Sequence, residues 1–188
     1  MPFDPHRITD PRHMRALAHP VRLSLMEALA QHGELTATEA AGHVGESPSS
    51  CSFHLRQLAK YGFVEETGTG TGRRRPWRLT RVGLVFGDEE VLDPEVAAAG
   101  SALSQVMTDR YLKRARERLA ARPELPEPWR HLAGTQQVLL YLTPEELERL
   151  NAGVLALMTA YHDRLADPSL RPADARAIEV LNLSYPMD

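Results

Sequence analysis

Apolar residues recur at helical spacing through the first third of the chain, and the polar residues between them mark helix ends. Met14, Leu17 and Ala18 predict the inward face of a helix from about Asp10 to Ala18. His19-Pro20 breaks it, because a residue before proline is pushed out of the helical region. Pro20 then opens a second helix with Val21, Leu25, Met26 and Leu29 as its stripe and Gly33 as its end. Thr36-Ala37-Thr38-Glu39 reads as a capping box, with Leu35 placed as a hydrophobic staple, and starts a third helix carrying Ala40, Ala41 and Val44. Gly45-Glu46-Ser47 is a tight turn. Ser47 is a good N-cap, Pro48 suits the first helical position, and Gly62 stands where a left-handed C-terminal cap is wanted. Between these caps Cys51, Leu55 and Leu58 form a buried stripe.

The opposite face of this fourth helix is polar where a core would ask for apolar groups. It carries Ser49, Ser50, Phe53, Arg56, Gln57 and Lys60. Hydroxyls, an amide, two cations and one aromatic ring can meet base edges, a thymine methyl and phosphates in a major groove. A solvated face is the plain alternative, but two short helices joined by a glycine turn form a helix-turn-helix, and that frame favours base reading. Ser47 and Ser52 flank the face and are counted with it as DNA-binding candidates, as is His54, which lies beside the buried stripe, where a packed or phosphate-bonding role suits it better than base reading.

After Gly62 the period changes to two. Phe63-Val64-Glu65-Glu66-Thr67 and Trp77-Arg78-Leu79-Thr80 predict two strands, with Trp77 and Leu79 on one face. The connection holds Gly68, Gly70 and Gly72, then Arg73, Arg74 and Arg75. A hairpin with a basic tip after a recognition helix is a wing whose arginines reach phosphate or a narrow minor groove.

Residues 14–80 resemble the winged helix-turn-helix of the ArsR-like (arsenical-resistance repressor-like) transcriptional regulators. The resemblance is carried by Arg15-Ala16-Leu17-Ala18-His19-Pro20-Val21-Arg22-Leu23, by Ser52-Phe53-His54-Leu55-Arg56-Gln57-Leu58, and by Tyr61-Gly62-Phe63-Val64. It implies a dimeric DNA-binding regulator, often a repressor released by a metal or small effector. The third helix reads Thr38-Glu39-Ala40-Ala41-Gly42-His43-Val44, without the cysteine pair of the metal-sensing members, and the long helix after the wing lacks the paired His and carboxylate ligands of the zinc sensors. Metal sensing therefore does not carry over.

The remainder of the chain predicts a loose arm over residues 1–7, a short extended piece over 82–86, and a long helix from Pro94 to about Ala121. The run Ala97-Ala98-Ala99-Gly100, followed by Leu103, Val106, Met107, Tyr111 and Leu119, suits close helix approach, so this helix is read as a dimerisation element packed also against the first helix. Pro123, Pro126 and Pro128 predict a stiff linker. Beyond it a small α/β unit is expected, with a β-like run over 136–142 and a closing strand over 177–183. Between them Thr143-Pro144 opens a helix with a coiled-coil-like seam of Leu147, Leu150, Val154, Leu157 or Met158, Tyr161 and Leu165. The expected fold is thus mainly α with small β, in three parts: a winged helix-turn-helix domain over 1–81, a dimerisation helix and linker over 82–128, and an α/β dimerisation or effector unit over 129–188.

Charge sharpens this division. The formal net charge is −3, but residues 1–81 sum to +3 and residues 82–188 to −6. The basic part holds the candidate recognition helix, and an acidic remainder discourages nonspecific sticking. No apolar run reaches the roughly 20 residues of a membrane span, and residues 1–10 show no signal-peptide core. With Cys51 the only cysteine, no internal disulfide forms and a reducing cytoplasm is expected. Cys51 and His54 sit one turn apart, but two ligands do not make a zinc site, and a thiol on the buried stripe is read as inert. Neither a phosphate-binding glycine loop nor a nucleophile elbow is present, so no cofactor and no enzymatic activity are expected. The expected partners are double-stranded DNA with a pseudo-palindromic operator and a second copy of the chain. Two alternatives stand beside this: a sensor repressor gated by a small molecule or metal through the C-terminal half, with an effector pocket lined by Trp129, Tyr141, Met158 and Tyr161, and a winged helix turned to protein interaction.

Overall fold

The computed structural model of the chain describes residues 6–68, 74–81, 83–86 and 93–187. It divides into two units, Met1–Met107 with Asp163–Ala177, and Thr108–His162 with Ile178–Asp188.

The first unit is built on four helices, α1 (Pro11–Leu17), α2 (Pro20–His32), α3 (Ala37–Val44) and α4 (Pro48–Lys60). Local chemistry sets each boundary. The Asp10 carboxylate accepts the Arg12 N–H at 2.7 Å ahead of α1. Thr36 and Glu39 form the reciprocal capping box of α3, with the Thr36 N–H donating to Glu39 Oε2 at 2.8 Å and the Glu39 N–H to Thr36 Oγ1 at 3.2 Å. Gly45 ends α3 in the left-handed region at φ 73° and ψ 26°, which turns the chain into α4 at no steric cost. Ser47 Oγ accepts the Ser50 N–H at 3.1 Å, Pro48 follows, and Gly62 at φ 73° carries the chain out after Tyr61. Ser47→Ala is expected to lower stability by about 1 kcal/mol, read as a lower urea midpoint at unchanged slope.

The core lies where these helices meet. Met14, Leu17, Leu25, Cys51, Leu55 and Leu58 are all buried, as are Phe63 and Val64 beyond α4. Two details depart from the sequence pattern. Ala16 is buried and Ala18 only half so, and Leu23 and Ala28 join the stripe of α2 while Val21 stands half out. Each helix is covered on more than one side, so its apolar face is wider than a single stripe.

β2 (Val64–Glu66) and β3 (Trp77–Leu79) pair antiparallel, with Val64 opposite Leu79 and Glu66 opposite Trp77. Leu35 bridges the other edge of β3: its N–H donates to the Trp77 carbonyl at 3.0 Å and its carbonyl accepts the Trp77 N–H at 2.8 Å. Leu35 is buried and ties the start of α3 to the wing. The loop residues Gly70, Gly72 and Arg73 lie outside the described residues.

The expected loose arm is a strand at its end: β1 (His6–Ile8) pairs parallel with β4 (Leu84–Phe86), Arg7 opposite Val85. Ile8 is buried. Apolar anchoring of that kind does not show in a three-residue pattern. The long helix α5 (Pro94–Ala120) follows the expected span. Its Ala99, Gly100, Leu103 and Met107 are buried. A Cβ on Gly100 would stand 3.7 Å from Met14 Sδ, and Arg15 pairs with Glu95. The small residues therefore receive α1 of the same chain, as the sequence suggested.

In the second unit the expected linker is instead a 3-10 turn (Arg122–Glu124) and a short helix α6 (Glu127–Leu132). Pro123 and Pro128 fall in their first turns, where proline is preorganised for helix. α7 (Pro144–Thr159) begins with the reciprocal box of Thr143 and Glu146. The helix stops before Tyr161. Leu165 belongs to α8 (Asp163–Ala166), in the first unit. Neither 136–142 nor 177–183 forms a strand. A segment becomes a strand only with a hydrogen-bonding neighbour, and no backbone pairing is present at either segment among the described residues.

Candidate nucleic-acid interface

α4 places the candidate residues by its two-sided burial. Cys51, Leu55 and Leu58 are each 0% exposed, which fixes the helix roll. Ser49, Phe53, Arg56 and Lys60 are consequently exposed, with Ser50 and Gln57 half-buried at the margins. Phe53 is 50% exposed, an aromatic ring held in solvent with the His54 ring 5.2 Å away at its edge. The Arg56 guanidinium folds back, Nε donating to the Ser52 carbonyl at 3.2 Å, and the Lys60 ammonium lies 5.7 Å over the Tyr61 ring. Both cations stay at the surface, screened by weak local contacts.

The predicted residues do not all offer free polar atoms. Ser47 Oγ is committed to the cap and lies 3.0 Å from Ser49 Oγ. Ser52 is half-buried and gives its carbonyl to Arg56. His54 turns inward: its ring is 4.5 Å from that of His19, and Arg22 Nε approaches Nδ1 at 3.5 Å. Burial, then the charges of His19 and Arg22, hold the His54 imidazole below its ordinary value, against a weaker opposite pull from Glu46. His6 is lowered by burial, Arg81 and His13, and His32 by burial, His43 and Arg171.

These three imidazoles give the fold a pH dependence of definite sign. In the unfolded chain they gain protons near pH 6.5, in the folded chain only at lower pH. Stability is therefore full above about pH 6.5 and falls as the pH drops through that value. Urea unfolding at pH 7.5 and 5.5 is expected to show a lower midpoint at 5.5, and His54→Gln is expected to shrink the difference.

On the wing, Arg74 Nη2 lies 3.1 Å from Glu39 Oε1 and Arg75 Nη1 lies 3.6 Å from Glu66 Oε2. The Thr36 backbone bond, the Thr36 hydroxyl and then Arg74 hold the Glu39 carboxyl below its ordinary value. Both arginines are highly exposed, at 73% and 70%. Exposed ion pairs of this kind are worth about 0–1 kcal/mol, so a phosphate can displace either carboxylate. Arg74 thus bridges the wing to the capping box of α3.

A recess of about 270 Å³ beside α4 was not legible from the sequence. Arg12, Arg15 and Arg22 line it, together with Ala16, Gln57 and Tyr61. Only tertiary folding brings the arginines of α1 and α2 to the margin of α4, and no spacing rule signals it. Cys51 sits on the buried side, where burial and Glu46 push its thiol up, so it stays protonated and a poor nucleophile. Among the described residues no three His, Cys, Asp or Glu side chains gather as a metal site. Of the residues proposed to line an effector pocket, Tyr141 and Tyr161 are exposed at 95% and 65%, Met158 is at 38%, and Trp129 is half-buried. They enclose a ligand only if another surface covers them.

The family described as a helix-turn-helix domain matches residues 17–67, from the last residue of α1 to the end of β2 and its following turn. Among curated proteins none matches. Two solved structures are similar over 79% of this chain and 81% of their own. The YusO protein from Bacillus subtilis is 18% identical, at a TM-score of 0.35. The multiple antibiotic-resistance repressor MarR from Listeria monocytogenes 4b F2365 is 12% identical, at 0.31. The chain carries a helix-turn-helix domain with a wing, and no helix among the described residues is long and apolar enough to cross a membrane.

Proposed function

We propose that the chain is a sequence-specific, DNA-binding transcriptional regulator, a homodimeric repressor of the ArsR-like type without the usual metal ligands. The observation that carries this reading is α4 itself. A helix capped at both ends and pinned by three fully buried residues presents Ser49, Phe53, Arg56 and Lys60 outward, with Ser50 and Gln57 at the margins of that face. It is the second helix of a helix-turn-helix, and a basic wing follows it. Residues 1–81 then form the DNA-binding part, 82–128 the dimerisation helix and its connection, and 129–188 a C-terminal dimerisation or effector unit, in a cytoplasmic protein. Two α4 helices enter successive major grooves of a pseudo-palindromic site, about one helical turn apart. Occlusion of a promoter is the simplest way such a dimer represses, and the proposal assigns it no catalysis.

Genomic pull-down with the full chain, followed by titration of the recovered duplex at several salt concentrations, tests the proposal. One recurrent inverted-repeat sequence should be recovered, and its affinity should fall linearly on a log–log plot against salt as phosphate contacts release counterions. Recovery of random DNA, or binding insensitive to salt, would overturn it and favour a winged helix devoted to protein contacts.

A further inference from the structure

The unit Thr108–His162 with Ile178–Asp188 has no buried residue among those described. All but Phe53, Leu165 and Leu170 of the exposed large hydrophobic residues of the described chain fall in it. They concentrate on two segments without regular secondary structure, 136–142 and 178–187, and on α7. Leu139 is 67% exposed, Tyr141 95%, Val180 58% and Tyr185 70%. On usual side-chain areas this apolar surface amounts to on the order of 1,000 Å² per chain. An ordinary monomer's largest patch is about 300–600 Å². Two copies covering each other would bury on the order of 2,000 Å², where obligate homodimer interfaces begin.

The two segments are also open at the backbone. No backbone hydrogen bond ties 136–142 or 178–187 to another segment among the described residues. The exposed apolar side chains favour burial, and the unpaired amides and carbonyls, now solvated by water, are a ready template for pairing with another chain. There is little charge to desolvate. Residues 136–142 carry none, and the one charge in 178–187, Glu179, is taken by Arg114. A partner of opposite charge is therefore not what this surface selects. Its complement is apolar, nearly uncharged and open at the backbone, and the chain's own two segments have that character.

We infer that the C-terminal unit is completed by the same unit of a second copy, segments 136–142 and 178–187 of both chains forming an intermolecular sheet that α7 covers. The inference rests on the dimer of the proposed function and names its surface. A two-fold axis lets each segment find its partner in the other chain and leaves both copies with the same closed surface. The face of α5 that carries Ala99, Gly100, Leu103 and Met107 is already filled within the chain, which leaves the C-terminal surface as the larger uncovered one.

The test uses the full chain. Sedimentation equilibrium at micromolar concentration should give a dimer, and amide exchange should show slow exchange over 136–142 and 178–187. The Leu139→Asp, Val180→Asp double variant should sediment as a monomer, with fast exchange over both segments. Both positions are exposed in the single chain, so charge there does not disturb the chain's own core. Cys51, 0% exposed, reports on the first unit: its thiol should stay unreactive toward a thiol reagent in the variant as in the parent. A monomeric parent chain overturns the inference, as does a variant that remains dimeric or a dimer whose two segments exchange fast. A dimer that binds no duplex overturns the regulator reading alone, and a monomer that binds duplex with full affinity overturns the interface alone.

Discussion

Leu55→Ala is expected to destabilise the chain by about 2–5 kcal/mol. Leu55 is 0% exposed in the middle of α4, and α4 packs against α1, α2, α3 and β2. A cavity there is walled by several elements at once, so no single one can move in to close it. A domain of ordinary stability has about 5–15 kcal/mol in total, so the variant should melt far below the parent and lose part of its folded population at 37 °C. Phe53→Ala, two residues earlier and half exposed, should change stability by less than about 0.5 kcal/mol. Thermal unfolding of the two variants side by side checks the assignment of faces. Equal losses would mean that α4 is rolled differently.

The same contrast explains what could be read from the sequence. The boundaries of α3, α4 and α7 were legible because capping is local: Thr36 with Glu39, Ser47 with Ser50, and Thr143 with Glu146 lie within one turn of each other. The stripe of Cys51, Leu55 and Leu58 was legible because the helical period is fixed. The pairing of His6–Ile8 with Leu84–Phe86 was not, because the whole helix-turn-helix and wing separate the two strands and three residues hold no period. The arginine-lined recess beside α4 was illegible for the same reason. Strand expectations for 136–142 and 177–183 came from apolar content, which reports a wish to be buried rather than an available partner. For the candidate site, the outward position of Ser49, Phe53, Arg56 and Lys60 follows from the stripe. The commitment of Ser47 to the cap follows from its own chemistry. The pairing of Arg74 with Glu39 and Arg75 with Glu66 depends on the path of the wing, which no spacing predicts.

On duplex DNA, α4 and the wing are expected to fail in different ways. Phe53→Ala removes the ring that can lie against a thymine methyl, and Gln57→Ala removes an amide that can pair with an adenine edge. Either should cost about 1–3 kcal/mol on the recovered site, roughly 5- to 150-fold in affinity, and flatten the preference for that site over altered ones. The salt slope should not change, because neither side chain neutralises a phosphate. Arg74→Ala with Arg75→Ala should weaken all sequences alike and reduce the salt slope by about 0.9 for each phosphate left without its arginine. Glu39 and Glu66 compete with phosphate for those same guanidinium groups, so Glu39→Gln should strengthen binding to every sequence while Arg74 is present and have little effect once it is replaced. Fluorescence anisotropy on cognate and scrambled duplexes at several salt concentrations separates these outcomes. A change in base preference on removing the wing arginines, or a change in salt slope on removing the Phe53 ring, would reverse the division between the helix that reads and the hairpin that holds.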